Sequence, residues 1–351
     1  MWFSAIIRGK LISILIFFDI STMKIGLTYD LKSVYLKNGY TEDEVAEFDS
    51  EETITGIEQA LKDLRFVSER IGNIKELTAA LVSGKKWDLV FNICEGMFGQ
   101  GREAQVPALL DAYQIPYTFS DPLVLALTLN KGMTKRIIRD FGVPTAPFLV
   151  IESLQDLADF DLKFPVFVKP NSEGSGKGIG ANSVADNFES LKSICTKVLH
   201  TYNQPVLIEK LLTGREFTVG ILGTGKKAEA VGVMEILIKS DAEEQTYSSF
   251  IKQHYQGRVD YKLAEGEIEE NCKTISLKAW KALGCRDAGR IDLKMDENGI
   301  LNFIEVNPLP GINFIHSDLP ILLYKKGWSY KQLIEAILHS ASERMINKFS
   351  L

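Results

Sequence analysis

The fold is decided by the segment GRIDLKM at residues 289–295, followed by LNFIEVN at residues 301–307. Both segments are short, rich in branched apolar residues and interrupted by polar ones, which is typical of strands with one buried face. The turn between them contains Asn298–Gly299, and an Asn-Gly pair between two such segments is a strong hairpin signal. The sequence therefore predicts two neighbouring antiparallel strands.

Polar side chains occupy alternate positions of this hairpin. Asp292 lies two residues after Arg290, and Glu305 lies two residues before Asn307. Because residues i and i+2 of a strand point to the same face, we expect the three oxygen donors to meet beside the guanidinium. Such a set suits a Mg²⁺ (or Mn²⁺) ion that holds polyphosphate. On this segment alone, a surface hairpin with solvated charges is the alternative.

A lysine and a glycine-rich segment lie upstream. Lys169 is near the end of PVFVKP (165–170), where a buried ammonium needs an anionic partner. In EGSGKGIG (173–180), backbone N–H groups can close around phosphate oxygens. The segment is not a P-loop, because Asn171 replaces the first glycine and Gly178 follows the lysine, and no clear helix start supports a dinucleotide fingerprint. A flexible phosphate-covering loop is favoured, with a simple hairpin turn as the alternative.

Two acids flank the turn in IEKLLTGREFTVGIL (208–222). Glu209 and Glu216 lie at this connection between two expected strands. Carboxylates there can accept hydrogen bonds from an adenine amine and from ribose hydroxyls. Alone the pattern is weak, and a solvated hairpin explains it better.

Composition excludes several classes of protein. The 351 residues are 45% hydrophobic and 25% charged, with a net charge of −6, which fits an enzyme of two or three subdomains and not a nucleic-acid binder. The four cysteines and four histidines are dispersed without a C-x-x-C pair, so we expect no zinc site and a reducing, cytoplasmic location. Any metal must then bind to oxygen ligands.

Residues 1–22 stand apart from the rest of the chain. The apolar run at 11–18 is too short to span a bilayer, and no small-x-small cleavage site follows it. We expect a mis-set start or a disordered extension ahead of a core that opens at Met23, with no stable membrane span. A membrane-associating segment is the alternative.

Apolar strands alternate with helical patterns over residues 23–120, for example in the helix expected at 50–64. This alternation predicts a doubly wound parallel α/β domain. A helix over Leu123–Phe141 and a proline-containing break form a linker at 121–150, and a long polar loop is expected at 239–262.

In this order the segments resemble the D-alanine–D-alanine ligases of the ATP-grasp superfamily. The stretches that carry the resemblance lie within residues 88–320 and read VFNICEG, IPYTFS, LNKGMTK, FPVFVKPNSEGSGKGIG, IEKLLTGREFTVGIL, LGCRDAGRIDLKMDENGILNFIEVNPLPG and HSDLP. The resemblance implies an α/β protein of the ATP-grasp fold, with ATP between two antiparallel-sheet subdomains at 151–225 and 226–345. It also implies that ATP phosphorylates a carboxylate and that an amine then attacks the acyl phosphate.

The resemblance implies roles for individual residues. The lysines expected to bind ATP phosphates are Lys131, Lys169 and Lys252. The residues expected at the adenine and ribose end are Glu209, Lys210, Leu212 and Glu216. The expected metal ligands are Asp292, Glu305 and Asn307. Arg290 and the amide of Gly311 would stabilise a tetrahedral oxyanion, and Ser175 would order the active site.

The sequence departs from the family where the amino acids should bind. The family's N-terminal glutamate, which anchors the first substrate's ammonium group, has no clear counterpart; the candidates are Glu47, Asp49 and Glu51. In HSDLP, His316 and Ser317 are expected to contact substrate, but Asp318 stands where an apolar residue usually helps to hold the second substrate's carboxylate. An acid there repels a carboxylate unless a cation intervenes.

Three functions fit these observations. The first is an ATP- and Mg²⁺-dependent ligase that makes D-alanyl-D-alanine for peptidoglycan, and the second is an ATP-grasp ligase for another amino acid or peptide. The third is a nucleotide-binding protein without turnover. The expected partners are small amino acids and no nucleic acid, and the resemblance suggests a homodimer.

Overall fold

Four β-sheets organise the chain in the computed structural model, which describes residues 2–7, 10–15, 23–174, 176–239 and 257–348. Within the stretch expected as an extension, β1 (Trp2–Ile7) pairs antiparallel with β2 (Lys10–Leu15), and the two strands form a sheet of their own. In the described ranges, no helix has both the length and the apolar character needed to cross a membrane.

The N-terminal domain is built on a parallel sheet with the strand order β4-β3-β5. Its elements are β3 (Lys24–Tyr29), α1 (Lys32–Lys37), α2 (Glu51–Asp63), β4 (Val67–Gly72), α3 (Ile74–Val82), β5 (Leu89–Ile93) and α4 (Gln105–Ala112). Helix α2 begins after Ser50, whose side chain accepts a hydrogen bond from the Thr53 N–H at 3.3 Å and so caps the helix. The parallel arrangement of strands and helices confirms the predicted α/β class.

The last helix, α10 (Tyr330–Lys348), belongs to the core of this first domain. Its residues Ile334 and Ile337 are fully buried in one apolar cluster with Ile25 of β3 and Ile54 of α2. Burial of such side chains contributes about 1.5–3 kcal/mol each. The beginning and the end of the chain therefore share one core.

The linker contains two helices where the sequence predicts one over Leu123–Phe141. Helix α5 (Pro122–Leu129) ends and α6 (Lys131–Asp140) begins at Asn130, whose ψ of 95° is not helical. The Asn130 side chain accepts a hydrogen bond from the Met133 N–H at 3.0 Å. The single-helix prediction is wrong because Asn competes for backbone groups and favours caps over helix interiors.

The central subdomain is an antiparallel sheet with the strand order β6-β9-β7-β8. Its elements are β6 (Phe148–Ile151), β7 (Val166–Pro170), β8 (Val184–Ala185), α7 (Phe188–Tyr202) and β9 (Val206–Lys210). Helix α7 covers one face of this sheet with Leu191, Cys195 and Val198, which are buried.

The C-terminal subdomain is a five-stranded antiparallel sheet with the order β12-β11-β10-β13-β14. Its elements are β10 (Glu216–Leu222), β11 (Glu229–Ile238), β12 (Val259–Leu263), α8 (Glu267–Leu283), β13 (Ala288–Met295), β14 (Leu301–Asn307) and α9 (Asp318–Lys325). Because β10 pairs with β11 and β13, it belongs to this sheet, and the boundary expected at residue 225 moves to the turn after β9. Strand β6 begins before residue 151, the expected start of the central subdomain. Because it pairs with β9, it belongs to the central sheet.

Candidate active site

The hairpin of β13 and β14 gathers the polar residues that its sequence pattern predicts. Arg290 lies opposite Asn307, and Asp292 lies opposite Glu305. The Asn307 amide donates to Asp292 at 3.3 Å, and the Thr218 hydroxyl of β10 donates to the same carboxylate at 2.6 Å. The sequence alone does not point to Thr218, because its place opposite Asp292 depends on the β10–β13 pairing. The donors are brought together, and their role as metal ligands stays a prediction.

This donor set fits a hard divalent cation. Two carboxylates and a carboxamide offer oxygen atoms, which Mg²⁺ and Mn²⁺ prefer. Among the residues that the structure describes, no group of three or more His, Cys, Asp or Glu is placed to hold a metal ion. A metal at the hairpin would therefore use Asn307 as a third ligand together with phosphate oxygens. Lys131 brings a positive charge to the same place, with its Nζ 3.3 Å from Glu305 Oε2.

A buried carboxylate is shared by two buried lysines beside the hairpin. Lys135 Nζ lies 2.8 Å and Lys169 Nζ lies 2.7 Å from the oxygens of Glu209. Lys135 also donates to the Thr145 hydroxyl at 2.9 Å and to the Phe303 carbonyl at 3.2 Å. The central strands β7 and β9, the helix α6 and the strand β14 therefore meet at one ionic cluster.

The electrostatics of this cluster follow from burial and close contact. Burial opposes ionisation of Glu209, but the two ammonium groups lower the pKa of Glu209 to about 2. Burial lowers the pKa of Lys135, whereas for Lys169 the attraction of Glu209 and Glu305 outweighs burial and raises the pKa. The charged forms of Glu209 and Lys169 are therefore favoured, whereas burial opposes the charge of Lys135. Lys135 is absent from the predicted site, although its spacing of four residues from Lys131 places both on one helix face.

Residues expected at the adenine and ribose end lie at the end of β9, at the start of β10 and in the connection between these strands. Glu209 contacts the lysines described above, and Glu216 accepts a hydrogen bond from Lys294 at 2.8 Å. Lys210 forms an ion pair with Glu297 of the β13–β14 turn, and the Leu212 side chain is buried. Their contact with a nucleotide stays a prediction. Ser175 and Lys252, expected near the phosphates, lie outside the described residues.

The glycine-rich loop is held to the N-terminal domain by a buried ion pair. Glu47 accepts one hydrogen bond from the Gly174 N–H at 2.6 Å and another from Arg102 at 2.7 Å. Arg102 also donates to the Ser172 carbonyl at 2.9 Å and lies 3.4 Å from the Glu173 carboxylate. Arg102 was not predicted, because its partners are distant in sequence.

These contacts distinguish the three acids that the sequence leaves as candidates for the family's N-terminal glutamate. Glu51 forms an ion pair with Arg70 on the surface, at 2.5 Å, away from the loop. Glu47 and Asp49 both line the cavity beside the hairpin. Burial raises the pKa of Asp49 to about 7, whereas Arg102 outweighs burial and lowers the pKa of Glu47.

Arg102→Gln is expected to loosen the glycine-rich loop, because it removes the charged donor shared by Glu47 and Ser172. Loss of hydrogen bonds from a charged group should speed hydrogen exchange at the Gly174 amide by roughly 10- to 100-fold. Hydrogen–deuterium exchange with mass spectrometry of the loop peptide measures this. Arg139→Gln, at an exposed position of α6, is the control. Equal protection in both variants would contradict the anchoring role.

A cavity of about 410 Å³ opens between the hairpin, the glycine-rich loop and the N-terminal domain. Arg290 lines it, with Nε 3.4 Å from Asp292 Oδ1 and Nη1 3.5 Å from Asp318 Oδ2. Gly311, His316 and Ser317 line the same wall. Burial lowers the pKa of His316, which favours the neutral imidazole.

The backbone around Gly311 is closely packed at this wall. A Cβ atom on Gly311 would lie 3.0 Å from Ser317 Oγ, tighter than an ordinary carbon–oxygen contact. The same Ser317 Oγ accepts a hydrogen bond from the Asn313 N–H at 3.0 Å. The loop therefore places the Gly311 backbone at the cavity beside Arg290, and the binding of an oxyanion there stays a prediction.

Comparison with known proteins identifies the family of this arrangement. The family model of the D-Ala–D-Ala ligase C-terminus matches residues 137–339, which contain the hairpin, the shared carboxylate and the glycine-rich loop. The chain belongs to the D-alanine–D-alanine ligase family. The predicted resemblance is thereby confirmed, and the chain is an ATP-dependent, ADP-forming ligase.

Curated relatives match most of the chain. The D-alanine–D-alanine ligase of Aquifex aeolicus is 32% identical over 284 residues, which are 80% of this chain and 92% of that protein. An uncharacterised protein of Sinorhizobium fredii, y4sG, is 35% identical over 263 residues, or 73% of this chain and 75% of that protein.

Solved ligase structures share the fold. The D-alanine–D-alanine ligase of Bacillus anthracis, complexed with ATP, aligns with a TM-score of 0.69 at 22% identity and covers 93% of this chain and 99% of that one. The VanG D-Ala:D-Ser ligase of Enterococcus faecalis aligns with a TM-score of 0.70 at 19% identity over 91% of this chain and 99% of that one. The ATP-grasp fold predicted from the sequence is confirmed.

Proposed function

We propose that this ligase joins two D-alanine molecules at the expense of ATP. The observation that carries the proposal is the hairpin pairing of Arg290 with Asn307 and of Asp292 with Glu305 at the edge of the cavity. Relatives named D-alanine–D-alanine ligase over most of the chain support the choice of substrate. The cavity of about 410 Å³ has room for two small amino acids.

The first step is transfer of the γ-phosphoryl group of ATP to the carboxylate of the first D-alanine. The carboxylate oxygen bonds to phosphorus as the bond to ADP breaks. Lys131 and Lys169 neutralise phosphate charge. They are only 7% and 3% exposed, and this burial strengthens their attraction for the phosphate groups. Asp292, Glu305 and Asn307 would hold Mg²⁺, which when bound neutralises developing charge on the phosphate oxygens.

The second step is attack of the second amino acid's amine on the acyl phosphate carbon. Negative charge develops on the carbonyl oxygen, and Arg290 with the Gly311 N–H would stabilise it. The C–N bond forms, the nitrogen loses a proton, and collapse of the tetrahedral intermediate releases phosphate. The glycine-rich loop, anchored by Arg102, excludes water that would hydrolyse the acyl phosphate.

A second candidate function is ligation to an acceptor other than D-alanine. Asp318 is 5% exposed, lines the cavity and lies beside Arg290 in the first turn of α9. Where the Arg290 charge does not compensate it, this carboxylate disfavours an acceptor whose own carboxylate approaches it, so a neutral or cationic acceptor group would fit better.

The full chain with Mg·ATP is expected to release phosphate when D-alanine is added and not with ATP alone. A panel of D- and L-amino acids and dipeptides, assayed for phosphate and for product by mass spectrometry, checks this. Phosphate release with another acceptor and none with D-alanine alone would favour the second candidate. ATP binding without turnover for the entire panel would indicate a non-catalytic nucleotide-binding protein.

We also propose that the enzyme acts in the cytoplasm, where ATP and peptidoglycan precursors are available, and that it forms a homodimer. Family membership supports both proposals, and the ordinary composition of the chain supports only the first. Sedimentation velocity at micromolar concentration tests the dimer, and a single species with the mass of one chain would contradict it.

A further inference from the structure

Two carboxylates on the N-terminal wall of the cavity have no role in the mechanism described above. Glu95 follows strand β5, and Glu103 lies in the short helical turn Arg102–Ala104 ahead of α4. Both side chains line the cavity, opposite the hairpin that carries the expected metal ligands. Glu103 is only 9% exposed.

The backbone brings these two acids to the same place. Gly96, directly after Glu95, has a φ of +72°, and a Cβ atom there would lie 2.6 Å from the Arg102 carbonyl oxygen. The Gly96 N–H donates to buried Asp30 at 2.9 Å, which fixes the loop after β5. Only glycine fits so close an approach with this φ. The loop of Glu95 therefore packs directly on the turn of Glu103.

Three of the other acids that line the cavity are paired with cations within the structure. Glu47 is bonded to Arg102 and the Gly174 N–H, Glu305 lies 3.3 Å from Lys131, and Asp318 lies 3.5 Å from Arg290. Within the described part of the chain, the carboxylates of Glu95 and Glu103 contact neither a cation nor a hydrogen-bond donor. Arg102 is the nearest cation in sequence, and it directs its guanidinium to Glu47, Ser172 and Glu173.

We propose that Glu95 and Glu103 bind the ammonium group of the first amino-acid substrate. The proposal rests on the proposed function, because a ligase that activates an amino acid must hold its ammonium group away from the phosphates. In the described part of the chain, Glu103 is a buried carboxylate without a cation partner, and the partly buried Glu95 lies beside it. A bound ammonium supplies the missing charge and three N–H donors. This arrangement also places the two ends of the substrate apart. The ammonium group lies at this wall, and the carboxylate lies towards Lys131 and Arg290.

The pKa values of the two acids are raised, as expected for buried carboxylates whose cationic ligand is not bound. Burial raises the pKa of Glu103 to about 8 although the Arg102 charge opposes this, and burial followed by the Glu103 charge raises the pKa of Glu95. Glu47, Glu173 and Lys131 also act on Glu103, and Glu47 and Asp49 also act on Glu95. A bound ammonium favours the ionised forms and so opposes these shifts.

The test compares D-alanine with propionate, which has the carboxylate and methyl group but no ammonium. The full chain is incubated with Mg·ATP and hydroxylamine, which traps either acyl phosphate as a hydroxamate and releases phosphate. We expect Glu103→Gln and Glu95→Gln each to lower the kcat/KM preference for D-alanine over propionate by about 10- to 100-fold, as for loss of a charge-assisted hydrogen bond. The double variant should lose less than the product of the two effects, because both residues bind one group.

Matched controls separate binding from folding. Glu51→Gln removes a carboxylate that pairs with Arg70 outside the cavity, and it should leave the preference unchanged. Glu103→Asp keeps the charge and should retain most of the preference. The KM for ATP should stay within about twofold in all variants if only the ammonium group is affected.

The outcomes are distinct. An unchanged D-alanine-to-propionate preference in both glutamine variants overturns the ammonium site and leaves the proposed ligation intact. A wild-type chain that forms no hydroxamate from any amino acid removes the proposed function, and the ammonium site with it. A glutamine variant that loses ATP affinity and D-alanine preference together, without recovery by Glu103→Asp, shows a structural role and also overturns the proposal.

Discussion

Arg290→Ala is expected to lower kcat for ligation by about 10²- to 10³-fold while ATP still binds, the range seen when an oxyanion donor is removed. The guanidinium lies against Asp292 and Asp318, is 7% exposed, and faces the cavity where the tetrahedral intermediate would form. Its charge matters most when negative charge develops on oxygen in a site closed to water. Single-turnover rates with saturating D-alanine, and ATP affinity by equilibrium dialysis, measure the two effects separately.

Arg215→Ala is the control for this prediction. Arg215 forms an ion pair with Glu235 in the same sheet, at 2.6 Å, and its side chain is half exposed outside the cavity. Arg290→Lys keeps the charge without the planar fork and should give an intermediate rate. Ligation by Arg290→Ala at the wild-type rate would rule out the oxyanion role, and loss of ATP binding would assign Arg290 to the nucleotide instead.

Lys135→Met is expected to destabilise the protein by about 3–5 kcal/mol, since it removes one partner of a buried ion pair. The Lys135 side chain is completely buried, and Glu209 would keep one lysine where it now has two. The substitution also removes the donor to the Thr145 hydroxyl and the Phe303 carbonyl, which join α6 to the C-terminal sheet. Urea unfolding followed by tryptophan fluorescence measures the loss.

Lys278→Met is the matched control, because Lys278 is exposed and donates one hydrogen bond to the Gly142 carbonyl at 3.0 Å. Its expected effect is within about 0.5 kcal/mol, as for most surface substitutions. If Lys135→Met is no less stable than Lys278→Met, then the buried ion pair contributes no net stability and Lys135 is retained for another reason, such as phosphate binding.

The hairpin could be predicted from sequence because its information is local. The two-residue alternation in β13 and β14, with Asn298–Gly299 between them, determines that Asp292 and Glu305 share a face, and the structure pairs them directly. The turn confines the register to a few choices, so a short segment suffices to locate the four polar residues of the candidate metal site.

The parts that were not predicted depend on distant contacts. Lys135 meets Glu209 only because α6 crosses the edge of the central sheet, and Arg102 meets Glu47 only because the glycine-rich loop folds onto the first domain. Strand β10 precedes the boundary expected at residue 225, yet it belongs to the C-terminal sheet because it pairs with β13, which follows it by more than sixty residues. No periodicity in a single segment contains that information. The break at Asn130 is the opposite case, since it depends on a local property, the preference of Asn for helix caps.

The shared core of α10 and the first domain has a consequence for synthesis on the ribosome. Ile334 and Ile337 lie in the apolar cluster that also contains Ile25 and Ile54. Domains usually fold in the order in which they emerge, from the N-terminus onwards. Here the first domain to emerge lacks part of its core until the last helix has been translated. We expect the nascent chain to expose that apolar face throughout elongation, so chaperones should bind it until release.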